Sequence, residues 1–210
     1  VHRLHAYGRA GAHCVQQGVG RSVKDRVGVS GPWPRNAHAS KLVAMSNLIS
    51  YSARPDLPQV HMANGQTAMV MSVLALAASH VAQTASQCRW AAFLASHDQS
   101  VDGIGFVYSD LSQWPWSVQH LEAEKTFLRQ TIDAAIHHQN WGRLSYMPSE
   151  EHLLPCVGRL LALINAFALE DLDESQTLEE RWRFVPEHPQ QCERHGTYMH
   201  EVGCIICGDE

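Results

Sequence analysis

The chain has 210 residues, a formal net charge of −5, 45% apolar residues and a mean hydropathy of −0.23. Those values suit one domain plus appendages and are ordinary for a soluble globular protein, so a core of useful size is expected. Residues 1 to 44 sum to +6 and the remainder to −11, so the acidic body repels phosphate backbones and nucleic acid is an unlikely partner for it.

The first 44 residues have no helical or strand period: Gly8, Gly11, Gly18, Gly20, Gly28 and Gly31 interrupt them, and Pro32-Trp33-Pro34 closes the stretch. The expectation is a disordered basic N-terminal extension. The chain begins with Val1 while Met45 opens a sequence of different character, which suggests an over-extended reading frame; the rival is an Arg-rich targeting peptide.

Residues 45 to 175 read as a helical domain. Arg54-Pro55-Asp56-Leu57-Pro58 is an extended lead-in that the prolines keep from helix. A first helix is expected from about His61 to Gln83, where Met69, Val70, Val73, Leu74, Ala77 and Val81 form one apolar stripe. Its run from Ala68 to Ala78 is about half the ~20 residues needed to cross a bilayer, so no membrane segment is expected. Thr84 to Gln87 breaks or kinks it before a second helix, Cys88 to His97. Helical reading stops at 98 to 116, with a short strand near 104 to 108 and then a loop.

Ser117 is the expected N-cap of a third helix, Val118 to about Trp141, with Leu121, Phe127, Leu128, Ile132, Ala135 and Ile136 facing inward. Ser149 opens a fourth helix that runs to about Leu169, and Pro155 is expected to move its start later. Glu170 to Glu174 places acids at the unfavourable end of the helix dipole, so a linker should begin there. Residues 176 to 210 form that linker, with a short helix or strand within Leu178 to Val185, and a C-terminal knuckle.

The knuckle carries the clearest chemistry. Cys192 and His195 form a C-x2-H pair, Cys204 and Cys207 a C-x2-C pair, and eight residues separate them. Two such pairs suit a tetrahedral Zn²⁺, and four protein ligands leave no coordination position for water, so the expected ion is structural. Gly196, Gly203 and Gly208 fall where the turns require them. His200 in the linker is a spare ligand that competes with His195, and disulfide pairing is the alternative in an oxidising compartment. Cys14, Cys88 and Cys156 are scattered singly, as expected in a reducing, cytoplasmic setting.

A second set of candidates lies between His97 and Trp116: His97, Asp98, Asp102, Asp110, Trp114 and Trp116. His97 with one of the aspartates offers a general acid/base pair, whereas Asp-Gly and Asp-Leu-Ser are also ordinary turn chemistry and the tryptophans suit the end of a helical bundle. Trp116-Ser-Val-Gln-His120-Leu121, opening a helix, resembles the DinB-type metal-dependent bundle proteins over six residues. The resemblance implies His120 as a helix-borne metal ligand, joined by Glu124, His137 or His138; the H-x3-H pair of that family is missing here. There is no G-x4-G-K-[ST], G-x-S-x-G or H-E-x2-H motif.

The resulting expectation is a mainly α protein, a bundle of about four helices with a short extended segment and a zinc knuckle. Its expected role is non-enzymatic, binding another protein through the acidic body and a Trp114 to Trp116 surface, as an adaptor or bacterial immunity protein would. The alternatives are a metal-dependent enzyme centred on His97, Asp98, Asp102 and His120, and zinc-knuckle contact with nucleic acid.

Overall fold

A computed structural model of the chain describes residues 47–97, 108–183 and 185–208. The N-terminal extension, Met45, Asp98, Asp102 and the first part of the expected strand at 104 to 108 lie outside the described residues.

Three short strands form one sheet in the order β2-β1-β3: β1 is Asn47–Ser50, β2 is Val60–Met62 and β3 is Tyr108–Asp110. β1 is antiparallel to β2, with Ile49 opposite Val60, and parallel to β3, with Ser50 opposite Asp110. In β2, Val60 and Met62 are buried around an exposed His61, the two-residue alternation of a half-buried strand. His61 and Met62 were expected in the first helix. The lead-in before them is not extended as expected but turns twice, the Arg54 N–H donating to the Tyr51 carbonyl at 2.9 Å and the Leu57 N–H to the Arg54 carbonyl at 3.1 Å, and Gln59 takes the Tyr51 N–H at 2.6 Å, which returns the chain to pair with β1.

The molecule is mainly helical, with four long helices: α1 (Asn64–Val81), α2 (Ala85–Ala95), α3 (Leu121–Ile136) and α4 (Glu150–Ala166). Two single-turn helices follow, α5 (Leu178–Arg181) and α6 (Ile205–Gly208). α1 lies at the centre, packed by α2, α3, α4 and α6. Every residue from Met69 to Ser79 is buried, so the expected single stripe is instead an all-round core helix. Its alanines and Ser72 let neighbours approach closely on the sides without large side chains.

Helix boundaries follow local chemistry. The expected break at Thr84 is a capping box: Thr84 accepts from the Gln87 N–H, and the Gln87 side chain accepts from the Thr84 N–H. Ser117 does not cap α3, which starts at Leu121 with His120 as N-cap; residues 118 to 120 form a turn, and the Ser117 N–H donates to Glu124 at 2.8 Å. α3 also ends earlier than expected, at Ile136, because His138 and Asn140 adopt positive φ and turn the chain. Ser149 is the N-cap of α4, and Pro155 is accommodated inside that helix without delaying its start.

The core is closed by aromatic rings drawn from the 110 to 117 segment. Trp116 stacks on Phe167 (4.8 Å between centroids) and lies 5.0 Å from Trp90, while Trp114 stacks on Trp116. Both tryptophans are about 1% exposed. They are core residues and form no surface for a partner, because the amphipathic rings bury large apolar areas while the Trp116 Nε1–H reaches the Leu111 carbonyl at 2.8 Å.

Lys125 is buried on α3, and its ammonium donates to the Asn165 and Phe167 carbonyls at 3.2 and 2.9 Å, satisfying the end of α4. Among the described residues, no helix is long and apolar enough to cross a membrane.

Candidate metal centre

The C-terminal segment folds back on α1 through two turns. In the first, the Cys192 N–H donates to the Thr197 carbonyl at 2.8 Å and the Gly196 N–H to the Cys192 carbonyl at 2.7 Å. Gly196 has φ +68°, in the left-handed region that favours glycine, with the movable Arg143 guanidinium lying over it. This turn swings His195 back over Cys192. In the second, His200 and Gly203 pair across a tight turn that leads into Cys204 and α6, and the Gly208 N–H bonds the Cys204 carbonyl at 3.1 Å. One helical turn places Cys207 beside Cys204.

Both turns are anchored. Ile205 and Ile206 are buried against the core, and the Tyr198 N–H donates to Ser79 of α1 at 2.9 Å. Cys204 and His195 are buried, Cys192 is half-buried and Cys207 is exposed.

Cys192, His195, Cys204 and Cys207 lie close enough to bind a metal ion, with one donor atom from each within 4.8 Å of all the others. A tetrahedron with metal–sulfur bonds of ~2.3 Å and metal–nitrogen bonds of ~2.0 Å has edges of about 3.8 Å between sulfurs and about 3.5 Å from sulfur to nitrogen. The Cys192 and Cys207 sulfurs are 3.8 Å apart, and the Cys207, Cys204 and Cys192 sulfurs lie 3.3, 3.5 and 3.8 Å from His195 Nδ1. These four separations lie within about 0.3 Å of the edges, and the other two sulfur pairs are within 4.8 Å. His195 is therefore the histidine of the set. His200 is buried nearby and uses its Nδ1 to accept the Val202 N–H at 3.3 Å.

The electrostatics of the three thiols favour a cation. Burial opposes ionisation of Cys192, but the His195 and Arg194 backbone N–H groups point at its sulfur and hold its pKa below the ordinary thiol value. Burial and the neighbouring Cys192 and Cys204 thiols push Cys207 up to about 12. Three thiolates repel one another at this spacing, and a divalent ion is what allows them to ionise together. Thr197 Oγ1, 3.1 Å from the Cys204 sulfur, adds a contact from outside the four. Ser79 and Thr197 support the centre from distant or unremarkable sequence positions, and nothing in the spacing marks them.

Of the other candidates among the described residues, His97, Trp114 and Trp116 meet in the aromatic core, and none joins a metal-binding group. His97 is buried and held by the Phe93 carbonyl at 3.1 Å and Ser109 Oγ at 2.9 Å. His120 is exposed at the start of α3, His137 bonds within its own helix, and His138 stacks on Trp141. Among the described residues, the knuckle is the one group of three or more His, Cys, Asp or Glu side chains placed to hold a metal.

Asp110 is a structural clasp. One carboxylate oxygen accepts from Ser50 Oγ and the Ser52 N–H at 2.8 and 2.9 Å, the other from Ser112 N–H and Oγ at 3.0 and 2.7 Å. Burial alone would raise its pKa, but the Ser112, Ser50 and Ser52 donors outweigh that and hold it below the usual carboxylate range.

No protein-family model, curated protein or solved structure matches this chain.

Proposed function

We propose that the protein is a non-enzymatic interaction protein, of adaptor or bacterial immunity type, whose four long helices act as one bundle and whose C-terminus is held by a structural Zn²⁺ on Cys192, His195, Cys204 and Cys207. The observation that carries the zinc reading is the match between the four donor separations and the edges of a zinc tetrahedron. Three sulfurs and one imidazole are the donor set of structural zinc sites, and they occupy every tetrahedral position. The ion then activates no water, and its work is to fasten the last turns of the chain to α1.

The partner reading is supported by the −11 charge of residues 45 to 210, which favours a basic protein surface over a nucleic acid. A reducing, cytoplasmic setting is supported by the free thiols of the knuckle and of Cys88 and Cys156.

Metal analysis of the purified full chain tests the first half of this proposal. It should give about one zinc per chain, with three sulfur neighbours and one nitrogen in the X-ray absorption spectrum. Affinity capture from lysate tests the second half and should recover a stoichiometric protein partner that high salt releases. Zinc-dependent turnover of a substrate would overturn the non-enzymatic reading.

A further inference from the structure

The four donors of the knuckle are unequally covered. His195 and Cys204 are buried, and the Cys204 sulfur lies 3.1 Å from Oγ1 of the buried Thr197. Cys207 is exposed and Cys192 half-buried. Their sulfurs are 3.8 Å apart at the surface, and they come from separate turns, Cys192 from the loop closed at Gly196 and Cys207 from α6.

Coordination to a divalent cation keeps both sulfurs as thiolates, the nucleophilic form, so the pair nearest solvent is also chemically reactive. An S–S bond needs ~2.05 Å, and rotation of two side chains near the surface closes that gap. Joining Cys207 to Cys204 instead would pull the Cys204 sulfur away from Thr197 and out of the core.

We propose that Cys192 and Cys207 form a peroxide-sensitive redox switch that releases the metal, an inference that rests on the zinc reading above. The Cys207 thiolate attacks one oxygen of hydrogen peroxide: an S–O bond forms, the O–O bond breaks, and hydroxide leaves with the electron pair. The Cys192 thiolate then attacks the sulfur of that sulfenic acid; the S–S bond forms, the S–O bond breaks, and a second hydroxide leaves. Each sulfur gives up one electron, and the peroxide takes both. His195 and Cys204 remain as two donors, too few to hold a tetrahedral ion. A dithiol reductant returns both thiolates and allows the ion to rebind.

Treating the zinc-loaded full chain with hydrogen peroxide tests this, with released zinc followed by a chromogenic chelator and the cysteines mapped by tryptic mass spectrometry. Arg183 and Arg194 bracket Cys192, so trypsin places it in peptide 184–194 and both Cys204 and Cys207 in peptide 195–210. About one zinc per chain should be lost, and the two peptides should become cross-linked through Cys207 with Cys204 left free to alkylate. Dithiothreitol with added zinc should restore the starting state. The comparison uses the unaltered chain, so no variant has to fold. Retained zinc, a bridge inside peptide 195–210, a cross-link through Cys204, or release without any disulfide would each overturn the switch and leave the zinc site standing. A chain that neither contains nor takes up zinc would overturn the structural-zinc reading, and the switch with it.

Discussion

Cys204→Ser is the sharpest perturbation of the metal centre. Cys204 is 7% exposed, and its sulfur lies 3.5 Å from His195 Nδ1 and 3.1 Å from Thr197 Oγ1, so the site has no room to recruit a replacement from solvent. A serine hydroxyl has a shorter bond to Cβ and stays protonated near neutral pH, leaving three donors for the ion. With Zn²⁺ as the proposed ion, present at about 1,000 times its dissociation constant, binding would contribute about 4 kcal/mol to folding. At about 2–4 °C per kcal/mol for a chain of this size, stripping the metal should lower the melting temperature by about 8–16 °C. Cys204→Ser should show a similar drop and become insensitive to chelator, since variant and chelator remove the same interaction. Hydrogen exchange locates the effect: the Cys192, Gly196, Tyr198 and Gly208 amides, bonded to Thr197, Cys192, Ser79 and Cys204, should lose protection while those inside α3 keep theirs. A metal-free protein with those four amides still protected, or a melting temperature unmoved by chelator, would refute the reasoning.

The remaining predictions concern the helical body. Asp110→Ala leaves the Ser50, Ser52 and Ser112 donors facing a void and should cost about 3 kcal/mol in urea unfolding; because the folded-state pKa of Asp110 is lowered, its contribution is present above the unfolded pKa and should be lost as pH falls through the folded value. Glu124 has the opposite sign: burial raises its folded pKa above 4.5, so its ionised form weakens the fold at neutral pH and stability recovers as pH falls through that raised value. Glu124→Gln, which keeps an acceptor for the Ser117 N–H, should therefore match or exceed the parent in stability at pH 7 and lose that advantage in acid; a loss at neutral pH would contradict this. Lys125→Met removes the donor to the Asn165 and Phe167 carbonyls and should cost about 1–2 kcal/mol, read as a lowered denaturant midpoint with unchanged slope.

Helix content was legible because it repeats. Leu121, Phe127, Leu128 and Ile132 mark one face of α3 over several turns, and Val157, Leu160 and Ile164 do the same for α4, so composition and spacing suffice. The four knuckle donors were legible for a related reason: a metal reads residue identity at short spacing, and the intervening chain only has to turn. β1 and β2 escaped notice, and the strand expected near 104 to 108 meets β3 only at Tyr108, because strands of three or four residues carry too few alternations to register. The segment Asn47–Ser50 becomes a strand only when Val60–Met62 and Tyr108–Asp110 arrive from far along the chain to supply its hydrogen bonds. Tertiary packing alone decided that Trp114 and Trp116 lie inside, that α1 is covered on every side, and that His195 instead of His200 faces the three sulfurs.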